Sequence, residues 1–221
     1  MLNLSSRLQA IAGLVPKGTR VADVGTDHGY IPIYLLQSGI CESAVASDVR
    51  EGPLQSAVRS ASALGLEDKI SFRLADGLRK VQPEEADTVI IAGMGGETIA
   101  AILEACPWAK SSGLHYLLQP MTRSEDLRRY LLTHGFTILS ETTVEQGGHL
   151  YVIVEAEWTD APFCEDESAF VLGKLDGTRD RAWLLWQKEL LTKRKNGMTA
   201  AGETEEVARL AFILQQLEER L

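Results

Sequence analysis

The chain has 221 residues, 45% of them apolar and 24% charged, which suits one domain of good size plus a small appendage and excludes disorder as the dominant state. No run approaches the roughly 18 uncharged apolar residues of a membrane span, and the segment from Met1 to Gln9 reads as neither the apolar core nor the cleavage site of a secretory signal. A net charge of -9 argues against generic nucleic-acid binding unless a local basic patch exists, and Cys41, Cys106 and Cys164 are too dispersed for a disulfide framework or a zinc site, so a reduced, cytoplasmic protein without metal is expected.

Residues 1–158 alternate between short apolar runs and helical periodicity. A strand is expected over 19–23, running into a glycine turn, then a helix over 30–38. A second strand over 43–48 ends in an acid, and a helix over 52–64 stops before Gly65. Residues 70–75 make a third strand before the Asp76-Gly77 turn. The run 86–92 is wholly apolar after its first acid, as in a buried parallel strand. A helix over 97–105, a strand over 115–119 and a helix over 124–134 follow. Residues 137–144 and 149–157 alternate like two strands joined by a Gln146-Gly147-Gly148 hairpin, which predicts an antiparallel edge. The pattern predicts a doubly wound α/β domain with its ligand beyond the carboxyl ends of the strands.

An acidic linker follows Trp158, and residues 159–221 read as a second, helical domain. Helices are expected over 167–195 and 203–221, with Asn196, Gly197 and Gly202 between them. Val207, Leu210, Leu214, Leu217 and Leu221 step by three and four, the seam of a coiled coil. Leu172, Leu175, Ala182, Trp186 and Leu190 are the candidate facing stripe of an antiparallel α-helical hairpin.

Four features follow four successive strands. The loop Asp23-Val24-Gly25-Thr26-Asp27-His28-Gly29-Tyr30 departs from the dinucleotide fingerprint, because Asp27 stands where a second glycine would let backbone approach a pyrophosphate. A carboxylate there repels a diphosphate but suits a ligand with a cationic amine and a sulfonium, which favours S-adenosylmethionine (SAM) over NAD. Asp48 is placed to accept ribose hydroxyls. Asp76 is placed to accept from an adenine amino group, or else only makes an Asp-Gly turn. Gly93-Met94-Gly95-Gly96 lets backbone approach a substrate, with Met94 free to pack on a flat base.

The segment 4–157 resembles the bacterial TrmK family of tRNA adenine-N1 methyltransferases. The resemblance is carried by Leu4-Ser5-Ser6-Arg7-Leu8, Val15-Pro16, the loop above, Ser47-Asp48-Val49, Ala75-Asp76-Gly77, residues 91–96 and Leu118-Gln119-Pro120. Gly29, where members often carry Ala, is a small departure. The resemblance implies a Rossmann-like class I SAM-dependent methyltransferase domain with a C-terminal coiled coil, acting on N1 of adenine 22 of tRNA. It implies SAM contacts from Arg7, Asp23, Gly25, Thr26, Asp27, His28, Asp48, Val49, Asp76, Gly77, Gly93 and Met94, with Asp27, His28, Tyr30 and Met94 nearest the chemistry. Tyr30 either stacks on a base or packs its helix onto the sheet, and Arg7 closes over the SAM carboxylate or over RNA phosphate. His115, His134 and His149 look structural.

One basic stretch stands out. Lys174, Arg179, Arg181, Lys188, Lys193, Arg194 and Lys195 outnumber Asp176, Asp180 and Glu189, for a local charge of 7 − 3 = +4, with Trp183 and Trp186 among them. It is the candidate tRNA-binding segment, or else a solvated face. A monomer is expected. Three other readings compete: a methyltransferase for another RNA or a small molecule, a non-catalytic SAM- or RNA-binding module and, less well supported, an NAD-linked oxidoreductase.

Overall fold

The fold is a mixed seven-stranded sheet with helices on both faces. It is given by a computed structural model that describes residues 2–221, so Met1, the first residue of the expected catalytic domain, lies outside them. The strands are β1 (Thr19–Val24), β2 (Cys41–Asp48), β3 (Ile70–Leu74), β4 (Thr88–Gly95), β5 (His115–Thr122), β6 (Phe136–Gln146) and β7 (His149–Trp158), in the order β3-β2-β1-β4-β5-β7-β6. The pairings from β3 through β5 are all parallel. The order reverses between β1 and β4, which opens a crevice at their carboxyl ends.

The alternation of side chains along the strands builds two core layers. Ala22, Val24, Val89 and Ile91 face one side, with Leu103 and Leu118. Val21, Ala46, Ile90 and Leu117 face the other, where α1 (Ser6–Gly13) and α2 (Tyr30–Gln37) cover them. Because both faces are covered, β4 has to be apolar along its whole buried length, and Val89, Ile90 and Ile91 are fully buried. The remaining helices before Trp158 are α3 (Glu51–Ser62), α4 (Gly96–Glu104) and α5 (Ser124–Thr133).

Several sequence expectations need correction. The hairpin is not among them, since it does form the antiparallel edge: β7 runs antiparallel to both β5 and β6 and lies between them, leaving β6 outermost. The β6–β7 hairpin folds back so that its second strand fills the slot beside β5. Helix α1 was not foreseen, because its eight residues are too few to establish a period. The fourth and fifth strands run on to Gly95 and Thr122, past the glycine and proline that suggested turns. Gly93 is accommodated as a bulge, with register shifts on either side of Met94.

The C-terminal helices differ more. The expected helix over 167–195 is two, α6 (Glu167–Leu172) and α7 (Arg181–Ala201), and α8 (Thr204–Arg220) packs antiparallel on α7. The chain breaks at Gly173, whose φ is +59°. A side chain there would sit 1.8 Å from the Glu141 carboxylate. Asn196 and Gly197 lie inside α7, which ends on left-handed Gly202. Lys174 and Arg179 therefore lie in a turn rather than on a helix. Of the expected facing stripe, Leu172 is buried in one cluster with Leu210, Leu214 and Leu217, and Leu175 is buried against the sheet, but the three positions on α7 were misassigned. Ala182, Trp186 and Leu190 point to solvent, and Leu184, Leu191 and Met198, spaced by seven, face inward. Leu175, Trp183 and Leu184 join the same apolar layer as the sheet residues, so the helical segment shares its core with the sheet.

Candidate active site

The crevice between the carboxyl ends of β1 and β4 is a cleft of about 470 Å³. Its walls include Arg7, Asp23, Gly25, Thr26, Asp27, Tyr30, Asp48, Val49, Asp76, Gly77, Gly93 and Met94. These are all but one of the candidate residues from the catalytic domain. They come from α1, from the start of α2 and from the ends of four strands, so only the fold brings them together. His28 is the exception. Its Nδ1 lies 3.0 Å from Ser56 Oγ on α3, and its Nε2 lies 3.7 Å from an Asp27 oxygen, so it ties the loop to α3 instead of lining the cleft.

Asp48 is the most constrained acid. It is buried at the end of β2, and its two oxygens accept the backbone N–H groups of Asp27 (3.1 Å) and Arg50 (2.9 Å). Each oxygen keeps a second lone pair, and the carboxylate is fixed before any ligand arrives. The Asp27 N–H reaches it because Asp27 adopts a left-handed conformation (φ +54°), which aspartate tolerates better than most residues. The Asp27 carboxylate is half-exposed, 3.7 Å from the Arg50 guanidinium. Gly25 has no room for a side chain: its φ is +72°, and a Cβ would meet the Met94 methyl at 2.3 Å. Met94 thus closes directly over the backbone of the glycine turn.

Asp23 forms the floor. The Thr26 hydroxyl donates to it at 2.6 Å, yet burial pushes its carboxyl up to about 6, a rise that the Thr26 bond opposes and nearby Asp48 reinforces. The charged form is therefore a liability in the folded protein unless a cation compensates it. Below the ordinary aspartate value of 3.8 the group is neutral whether folded or not. Between that value and about 6 the unfolded chain ionises first, and stability falls. The Asp23→Asn protein is thus expected to be more stable than wild type by roughly 2 kcal/mol at pH 8, with the gain vanishing towards pH 4. Urea melts across that range check this, and a pH-independent difference would contradict it.

Arg7 reaches the cleft from α1, and its guanidinium is anchored. Gln119 Oε1, buried at the end of β5, accepts from Arg7 Nη1 at 2.5 Å and from the Gly93 N–H at 3.2 Å. One buried amide therefore fixes both Arg7 and the bulge carrying Met94. Gln119 has no place among the residues foreseen for the site, although it lies in one of the motifs behind the family resemblance. The available signal was a polar side chain at the carboxyl end of an otherwise apolar strand. Arg50, Thr98 and Ile102, which also line the cleft, had no such signal.

Four carboxylates (Asp23, Asp27, Asp48, Asp76) and two guanidinium groups (Arg7, Arg50) line the cleft. That balance suits a ligand bearing hydroxyls and positive charge, with one anionic group for Arg7, and it disfavours a diphosphate. Among the described residues no cluster of three or more His, Cys, Asp or Glu side chains is placed to hold a metal, and no helix is long and apolar enough to cross a membrane.

In the basic segment, four side chains are engaged. Arg179 binds Asp180 and the Glu141 carbonyl, Arg181 the Leu221 carbonyl, Lys188 Glu218 and Arg194 Glu206. Lys174, Lys193 and Lys195 make no ion pair among the described residues.

A sequence profile of the family described as a methyltransferase domain matches residues 4–154. The tRNA (adenine(22)-N(1))-methyltransferase of Bacillus subtilis (strain 168) is 33% identical over 216 residues, 98% of this chain and 86% of that protein. The crystal structure of the B. subtilis m1A22 tRNA methyltransferase TrmK superimposes with a TM-score of 0.81 at 28% identity, covering 99% of both chains. The structure of M. capricolum TrmK in complex with S-adenosyl-homocysteine gives 0.82, also at 28% identity and 99% coverage of both.

Proposed function

The chain belongs to the bacterial TrmK family of tRNA (adenine(22)-N(1))-methyltransferases, and from that membership and the geometry of its cleft we propose how its own residues carry the reaction. The protein is a SAM-dependent tRNA methyltransferase that modifies N1 of adenine 22. The observation that carries the assignment is the whole-chain match combined with an acid-lined cleft at the carboxyl ends of the strands, which suits a ligand bearing hydroxyls and positive charge.

The donor set fits SAM. Asp48, already oriented by two backbone N–H groups, accepts the ribose hydroxyls. Asp76 at the end of β3 accepts from the adenine amino group, and Met94, packed over the backbone of Gly25, lines the cleft beside the nucleoside. Arg7, fixed by Gln119 beside Gly93, takes the carboxylate. Asp23 meets the cationic end, which compensates the charge that burial penalises. Bound SAM supplies an activated methyl electrophile.

The N1 lone pair of neutral adenine lies in the plane of the base and is itself the nucleophile, so the protein has chiefly to align it. No general base is required, since the methylated base is a cation that sheds an N6 proton afterwards. A carboxylate nearby favours that developing charge, and Asp27, half-exposed in the loop after β1, is the acid left for it once Asp76 is given to the adenine amino group. His28 and Arg50, each 3.7 Å away, orient it, and Tyr30 at the rim offers a ring to the base. Replacing Asp27 with Ala is expected to lower the single-turnover rate on the order of tenfold with little change in tRNA affinity. Asp27→Asn separates charge from backbone, because asparagine also tolerates the left-handed conformation. If the Asn variant transfers methyl within twofold of wild type, the carboxylate serves only the turn.

Because N1 lies on the Watson–Crick edge, the target nucleotide has to leave the folded tRNA to enter the cleft, at a cost of a few kcal/mol. The α7–α8 pair, read as a coiled-coil hairpin, supplies the compensating tRNA affinity. Lys193 and Lys195 on α7 and Lys174 in the turn before it, which make no ion pair among the described residues, meet phosphate directly, while Arg179, Arg181, Lys188 and Arg194 exchange their partners for phosphate. The protein works as a monomer in the cytoplasm. Incubation with labelled SAM and unmodified tRNA, followed by nucleoside analysis, is expected to yield 1-methyladenosine. Label in a different nucleoside would favour a methyltransferase of another specificity.

A further inference from the structure

Beside the active cleft lies a second, shallower groove of about 390 Å³, lined by Met121, Thr122, Gly148, His149, Leu150, Tyr151 and Trp186. We propose that this groove holds an unstacked base next to the target adenosine, with Trp186 as its stacking platform; the proposal rests on the tRNA reading above.

Three observations carry it. The first is continuity with the active cleft. The Arg7 guanidinium, which lines the cleft, lies 5.9 Å from the centre of the Tyr151 ring, and Met121 and Thr122 continue the strand that holds Arg7 through Gln119.

The second is the state of the two tryptophans. Trp183 is buried, with the Arg128 guanidinium 5.5 Å from its ring, and does structural work. Trp186, 6.1 Å from it and tilted by 57°, is 47% exposed and so leaves much of its surface to solvent. An exposed tryptophan, a tyrosine, a histidine and a methionine around one depression form the kind of surface on which bases stack, since every base offers a π-face.

The third is charge. None of the seven lining residues is an acid, in a chain with a net charge of -9. Arginines stand around the groove. Arg7 is at one end. Arg123, two-thirds exposed, follows Thr122. Arg194 joins Trp186, Tyr151 and Thr122 in the wall of the adjoining pocket, which also holds Glu125 and Asp126. The combination is an aromatic floor without acids, with arginines at its edges of which Arg123 and Arg194 would exchange Asp126 and Glu206 for the phosphates that flank a base. Turning out one nucleotide removes its neighbour's stacking partner, and the groove supplies a replacement where that neighbour emerges.

The test compares wild type with Trp186→Ala and Trp186→Phe. Binding of unmodified tRNA is read by tryptophan fluorescence and by filter retention, alongside SAM affinity and methyl-transfer kinetics. Because Trp186 is exposed, neither variant should disturb the fold. The Ala variant is expected to weaken tRNA binding roughly ten- to a hundredfold. The Phe variant should stay within a few-fold of wild type, and SAM affinity should not change. Part of the fluorescence quenching by tRNA should disappear in the Phe variant. Unchanged tRNA affinity in Trp186→Ala overturns the proposal and leaves the groove to a protein partner, and equal losses in the Ala and Phe variants also overturn it. A wild type that binds tRNA with Trp186-dependent quenching but forms no 1-methyladenosine contradicts the reaction assignment while upholding the groove.

Discussion

Replacing Arg128 with leucine is expected to destabilise the protein by about 3–5 kcal/mol, the largest loss for any single substitution considered. Arg128 and Glu141 are both fully buried, with Arg128 Nε 2.7 Å from a carboxylate oxygen. The guanidinium also donates to the Val171 carbonyl at 3.0 Å and packs on Trp183. The other Glu141 oxygen accepts the Lys174 N–H at 2.5 Å. The pair therefore joins α5 and β6 to the turn after α6. Removing the cation leaves a carboxylate in an apolar site with a single N–H partner, which is the costly case. Removing both charges in an Arg128→Leu, Glu141→Leu double variant should recover much of the loss. Urea melts decide it. A loss below 1 kcal/mol would mean that solvent reaches the pair. Since the bonds to 170–174 cross the expected boundary near residue 159, truncation there should unfold the catalytic part too.

Asp48→Ala is expected to weaken SAM binding by about 3 kcal/mol, roughly a hundredfold, since each hydrogen bond to a charged acceptor contributes about 1.5–3 kcal/mol and two ribose hydroxyls are involved. The substitution also leaves the N–H groups of Asp27 and Arg50 without their acceptor, so the loop over the cleft loosens. Asp48→Asn keeps one acceptor oxygen and should fall between. Isothermal calorimetry with SAM measures both, and wild-type affinity in Asp48→Ala would remove the ribose role.

Much of the cleft lining was legible because it lies at strand ends, where apolar runs give way to Asp23, Asp48, Asp76 and Gly93. What was not legible depended on distant parts of the chain. Gln119 gains its meaning only once α1 brings Arg7 across the sheet. The break at Gly173 is imposed by Glu141, 32 residues earlier in the chain. The inward stripe of α7 was misread because 182, 186 and 190 keep a helical spacing, and only the partner helix selects the neighbouring face with Leu184 and Leu191. The strand order was open for a similar reason, since a hairpin motif does not say which of its two strands reaches the sheet.

Transfer of a methyl group to N1 of adenine 22 is decided by a single nucleotide substitution in the substrate. Two transcripts of one tRNA are incubated with protein and labelled SAM, one with adenine at position 22 and one with guanine, and incorporation is followed to completion. The adenine-22 transcript is expected to take up close to one methyl group and the guanine-22 transcript none. Equal labelling of both would contradict adenine 22 as the target.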